Sequence, residues 1–222
     1  MKLVHSDLTE TLLDEKSKYT EWIIESSGLF SKYVVELKEQ VSGEEGKFVL
    51  SDKNKEIDIK KKVEIIIDPF SIDVNDRKIL TKLYSELSVF SMNEQLYLET
   101  VDLRLHIHEY MSKLEQCTEH ILEFNEEVDI PALLKAVNFR YETQDMSLPE
   151  KVIQYVKVLS TMTGIRIFVF VNLRSYLQNN QIQNLIIDMQ YLDIMGIFIE
   201  NSQRSPIKGV EQHVLDSDMC EI

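Results

Sequence analysis

The chain has 222 residues, 44% of them apolar and 28% charged, with a formal net charge of −14. That length and apolar share suit a folded chain with a sizeable core and exclude a disordered one. Two distant cysteines, Cys117 and Cys220, exclude a disulfide framework or a zinc ribbon and fit a reducing cytosol.

The start, MKLVHSDLTE, has no apolar core of signal-peptide length, and no apolar run approaches a membrane span. A soluble, cytoplasmic protein is expected. Residues 21–25 (EWIIE) read as a compact apolar strand that ends at Ser27 and Gly28. Leu29, Phe30, Tyr33, Val34, Leu37 and Val41 then recur at helical spacing. Residues 42–46 make a polar turn, 47–50 begin a strand, and 53–62 form a lysine-rich turn and ribbon. The run at 63–68 has few polar breaks, which predicts a strand buried on both faces of a parallel sheet.

From Asp73 to about Asn125 no glycine or proline interrupts a helical pattern, so a long projecting helical hairpin is expected. Asp129-Ile130-Pro131 restarts a short helix, with proline in a first-turn position. The last third alternates: helix 148–161 broken at Gly164, strand 166–172, helix 179–192, strand 194–200, then a loop at 203–209. Strands alternating with helices predict an α/β protein with a parallel sheet and right-handed crossovers. A helical insertion interrupts that body.

The charges are segregated, which matters more than their sum. Between Leu114 and Leu134 lie Glu115, Glu119, Glu123, Glu126, Glu127 and Asp129, with no lysine or arginine. Between Lys151 and Ile187 lie Lys151, Lys157, Arg166 and Arg174, with no acid. Lys53, Lys55, Lys60, Lys61 and Lys62 stand against only Glu56 and Asp58. Phosphate binding is driven by such clustered cations. The same lysines would also keep an edge strand soluble.

Catalytic patterns are absent. The six glycines form neither GxGxxG nor GxxxxGK[ST], and no GxSxG occurs. His106 and His108, two apart on a helix, point away from each other and make a poor metal pair. Asp68, Asp73 and Asp76 are the carboxylates a metal-dependent nuclease would need, although Asp73 or Asn75 capping the next helix explains them more simply. On a helix, Glu115, Glu119, Glu123 and Glu126 would form one like-charged stripe calling for a neutralising partner. All-oxygen ligands suit calcium, and a solvated acidic face is the alternative.

Five segments in order carry a resemblance: EWIIESSGLFSKYVVEL at 21–37, VEIIIDPFSIDVNDRKILTKLYSEL at 63–87, PALLKAVNFRYETQ at 131–144, IRIFVFVN at 165–172 and GIFIEN at 196–201. Together they resemble the ring-forming spacer-acquisition protein of type II-A CRISPR systems, at a length typical of its short branch. Residues 202–222 match less well.

The resemblance implies a P-loop-ATPase-like parallel-sheet head without a nucleotide site (residues 1–75 and 145–222) and an inserted helical leg (76–144). It further implies a homotetrameric ring whose basic hole takes the ends of double-stranded DNA, stabilised by calcium, beside the CRISPR integrase pair and the RNA-guided nuclease. It carries no catalytic residues, so no enzyme is expected. From charge, Lys53, Lys55, Lys60, Lys61 and Lys62 are the expected DNA contacts, followed by Arg166 and Arg174. For the metal, the region matching the resemblance points to Glu123, Glu126, Glu127 and Asp129. A divergent nuclease or an acidic adaptor that touches only proteins are the competing readings.

Overall fold

A computed structural model describes residues 1–222 except Asn54, Glu126, Met219 and Ile222. The chain separates into two compact units, Met1–Val74 with Thr143–Ile222, and Asn75–Glu142.

The first unit is built on two sheets. A five-stranded sheet has the order β5-β6-β7-β2-β8. Its strands are β2 (Tyr19–Ile24), β5 (Val63–Ile66), β6 (Ile167–Val171), β7 (Met195–Glu200) and β8 (Glu211–Leu215). Every pairing in it is parallel. Parallel strands need crossovers, and three helices belong to this unit: α1 (Ser27–Ser42), α5 (Leu148–Thr163) and α6 (Asn179–Tyr191). The smaller antiparallel sheet joins β1 (Lys2–His5), β3 (Phe48–Asp52) and β4 (Lys55–Ile57) in the order β1-β3-β4.

One apolar core serves both sheets, with Leu3, Leu50 and Phe48 packed alongside Trp22, Tyr33, Ile167 and Ile199. β6 and β7 are buried along their whole length, as their apolar runs require, with Glu200 closing β7 as a buried acid. β5 differs from expectation. It is parallel, but it pairs only with β6 at the sheet edge, so Glu64 and Ile65 are half-buried and Ile67 is exposed.

Helix ends follow local chemistry. Ser26 Oγ accepts from Leu29 N–H at the start of α1, and Gly43, at φ 110°, ends it in the left-handed region that glycine adopts without strain. Ser147 and Glu150 form a capping box before α5, and Gly164 closes that helix at φ 76°.

The second unit holds α2 (Arg77–Ser91), α3 (Tyr97–Glu115) and α4 (Ile130–Ala136). Asn75 and Tyr141 hold its two chain ends together through paired side-chain-to-backbone hydrogen bonds of 3.1 and 2.9 Å. The helical pattern read without a stop over 73–125 is broken twice, and α2 and α3 are the two helices of that stretch. Asn93 Oδ1 accepts from both Gln95 N–H and Leu96 N–H at 3.0 Å, so a local turn replaces helix between α2 and α3. Neither a glycine nor a proline is needed. The second break follows Glu115, where Thr118 Oγ1 takes the His120 N–H at 3.2 Å.

Candidate nucleic-acid interface and acidic cavity

The lysine segment lies in the first unit and divides into two classes. Lys53, at φ 47°, stands at the tip of the β3–β4 hairpin, and Lys55 opens β4 opposite Asp52. Both side chains are exposed, with no ion pair or side-chain hydrogen bond to another described residue. The remaining three serve the fold. Asp58 caps the 3₁₀ turn Ile59–Lys61, and Lys61 pairs with it at 3.5 Å. Lys60 Nζ donates to Ser42 O at 3.2 Å, and Lys62 Nζ donates to Gly164 O at 3.2 Å. Lys60 and Lys62 therefore each satisfy a carbonyl left open at a helix C-terminus, where the dipole favours a cation.

The two arginines part company. Arg166 is half-buried, its Nη1 directed to the carbonyls of Ser160 and Ile165 at 3.4 and 3.3 Å. Arg174 is a correction to the charge-based expectation. Its side chain is 1% exposed and forms an ion pair with Glu21, itself fully buried, so it has no face to offer a phosphate. The network around it lies beyond what charge counting along the chain shows. Glu200 Oε1 accepts from Arg174 N–H at 3.0 Å, and Arg204 Nη1 donates to Arg174 O at 2.6 Å. The signal for it is an acid within or closing an apolar strand, as in EWII and GIFIE, because a charge in a doubly covered strand demands a buried partner.

The acids occupy the second unit. The helical stripe is not formed: α3 ends at Glu115, and the chain from Glu119 to Asn125 is not helical. A stripe of like charges at helical spacing opposes helix, in keeping with that ending. Glu123 is exposed on this irregular stretch, and Glu126 lies outside the described residues. Glu127 and Asp129 line a cavity of about 550 Å³ with Ser88, Arg104, Asn125, Val128 and Ile130. One Asp129 oxygen is already engaged, since Oδ2 accepts from Ala132 N–H at 3.2 Å as the N-cap of α4. The remaining oxygens are of the hard type that calcium takes, and Arg104 adds a competing positive charge to the same wall. Among the described residues, no three His, Cys, Asp or Glu side chains converge as a metal cage.

Asp68, Asp73 and Asp76 do not form such a group either. Asp68 Oδ1 accepts from Phe70 N–H at 2.9 Å. The cap of α2 is Asp76, which accepts from Lys78 N–H at 2.7 Å, rather than Asp73 or Asn75. Among the described residues no helix is long and apolar enough to cross a membrane.

The sequence profile of a family described as "CRISPR-associated protein (Cas_Csn2)" matches residues 40–219. A curated relative, the CRISPR-associated protein Csn2 of Streptococcus agalactiae, is 24% identical over 156 residues, covering 69% of this chain and 68% of that protein.

Proposed function

Because the chain belongs to the CRISPR-associated Csn2 family, we propose that it binds double-stranded DNA ends as a calcium-stabilised homotetrameric ring supporting spacer acquisition. In this reading it catalyses no reaction and works in the cytoplasm beside the integrase pair and the RNA-guided nuclease. The first unit is the P-loop-ATPase-like head without a nucleotide site, and the helical unit is the leg.

The observation that carries the DNA reading is the hairpin tip. Lys53 and Lys55 are exposed cations with no acid partner among the described residues, while Lys60, Lys61 and Lys62 have assignments within the fold. Contacts of this kind go to phosphates, so binding is insensitive to sequence and falls steeply with salt. Four copies of the tip around a hole supply the charge that one copy, at a net −14, does not. A closed ring admits DNA only over an end, which makes linear duplex the ligand.

Assembly is favoured by the apolar side chains that the helical unit leaves uncovered on α3: Tyr97, Leu98, Leu103, Leu105, Tyr110 and Leu114 are all exposed. Calcium would be held by Glu127 and Asp129, with Asn125 and Ser88 on the same cavity and Glu123 and Glu126 nearby in sequence. Six to eight oxygens satisfy that ion, so waters or a second chain complete the shell.

The test is a gel shift of linear against covalently closed DNA, in calcium and then in chelator. Linear DNA alone should shift, and chelator should abolish the shift. The double variant Lys53→Glu, Lys55→Glu should weaken binding and lower the salt slope by about 0.9 for each phosphate that is no longer neutralised. Equal binding of closed circles refutes end loading. No shift at low salt refutes the DNA reading and returns the protein to an adaptor role.

A further inference from the structure

The buried ionic network at the carboxyl edge of the five-stranded sheet does more than hold charge in place. Three elements meet there: β2 brings Glu21, β7 ends on Glu200, and the 3₁₀ turn Leu173–Ser175 after β6 brings Arg174. Glu21, Glu200 and Arg174 are all essentially inaccessible to solvent.

Both terminal nitrogens of the Arg174 guanidinium are committed. Nη1 is paired with Glu21, and Nη2 donates to Asn179 Oδ1 at 2.9 Å and to Ser205 O at 2.7 Å. Glu21 Oε2 also accepts from Gln212 Nε2 at 2.7 Å. Arg204 returns the link, donating to Arg174 O and, at 3.0 Å, to Ser175 Oγ. A side-chain bond of 2.8 Å joins Asn179 Nδ2 to Ser205 Oγ. The irregular stretch 201–209 is thus tied to the sheet edge largely through Arg174 and its neighbours.

Three buried polar atoms of the network lack a hydrogen-bond partner among the described residues: Arg174 Nε, Arg204 Nε and one oxygen of Glu200. Of these groups only the Glu200 carboxylate can shed its charge by taking up a proton near neutral pH. Its Oε1 has the single Arg174 N–H, and Oε2 is the open oxygen. Burying an ionised carboxylate with one oxygen open carries a heavy desolvation penalty, whereas the neutral acid is tolerated. The titratable and charged groups facing it are Glu21 from β2, Arg174 from the 3₁₀ turn and Arg204 from the loop. α6 and β8 contribute the neutral amides of Asn179 and Gln212.

We propose that Glu200 is the proton-operated catch of a clamp: protonated, it lets residues 201–209 close on the carboxyl edge of the sheet, and ionised, it loosens them. The step is one proton exchanged with solvent at a Glu200 carboxylate oxygen. Burial raises the Glu200 carboxyl from 4.5 to about 7, with Glu21 adding to the rise against the opposing pull of the Arg174 N–H and the two guanidinium groups. A raised carboxyl binds its proton more tightly when folded. Its contribution is therefore fully present below pH 4.5, declines as pH rises towards about 7, and is lost above. This clamp does not depend on the DNA reading.

The test is amide hydrogen exchange of the full chain across the acid-to-alkaline range, each rate corrected for the intrinsic pH dependence of exchange. Protection of residues 201–209 should fall by up to about tenfold per pH unit between the open and closed pKa values of Glu200 and level off on either side, as one linked proton requires. The β6 strand (Ile167–Val171) should stay protected throughout, marking local opening rather than unfolding. Glu200→Gln, neutral at every pH, should flatten the profile while leaving the segment protected. A flat wild-type profile overturns the clamp even if that variant fails to fold. A pH dependence that persists in a folded Glu200→Gln protein assigns the proton to another group and also overturns it.

Discussion

The two units of this chain solve burial in opposite ways. In the first, β6 and β7 are covered along their whole length, and Phe168, Phe170 and Phe198 stack at 5.2 to 6.3 Å within a closed core. In the second, Thr100 is the one buried residue of α3, a helix carrying Leu98, Leu103, Leu105 and Leu114 on its surface. Both contain similar kinds of apolar residue. The difference is what surrounds them. A sheet with crossover helices encloses its own faces, whereas helices without a covering layer leave apolar surface that a monomer ordinarily does not carry in quantity.

The sharpest way to break this comparison is to truncate one apolar side chain in each unit. Phe198→Ala should destabilise the fold by about 3–5 kcal/mol in urea unfolding. Leu98→Ala, at 73% exposure, should change monomer stability by no more than about 0.5 kcal/mol. Equal effects would mean that the units are not energetically distinct. A smaller change in stability but a large one in mass is expected when Leu98 and Leu105 are both replaced by glutamate: sedimentation should move towards the monomer while circular dichroism is unchanged. An unaltered assembly would place the subunit contact elsewhere. A further pair of substitutions concerns caps, one in the second unit and one in the first. Asp129→Ala and Ser26→Ala should each cost about 1 kcal/mol. The Asp129 variant should also lose any calcium-induced rise in melting temperature, and retention of that rise would remove Asp129 from the calcium shell.

Much of the α/β body is legible in the sequence because its signals are local. The apolar runs at 166–172 and 194–200 form β6 and β7, and Gly164 ends α5 by the conformation it adopts. Helical continuity through Asn93 follows only if glycine and proline are the sole stops, whereas an asparagine side chain competes for the backbone and breaks it. β8 (Glu211–Leu215) lies beyond the expected elements. Its sequence, EQHVL, is strongly apolar only at its end, and its place as an edge strand beside β2 depends on residues almost two hundred positions away.

The charged residues mark the boundary between the two kinds of knowledge. Sequence alone determined that lysines cluster at 53–62 and acids at 115–129, that no phosphate loop exists, and that parallel strands alternate with helices. Only the tertiary structure decided which charges remain available. Lys53 and Lys55 stay in solvent, Lys60 and Lys62 reach helix ends, and Arg174 is buried against Glu21. The physical reason is that periodicity and composition are properties of neighbours along the chain. A charge's worth is set by its dielectric surroundings and partners, and those are brought from distant segments by the closing of the sheet.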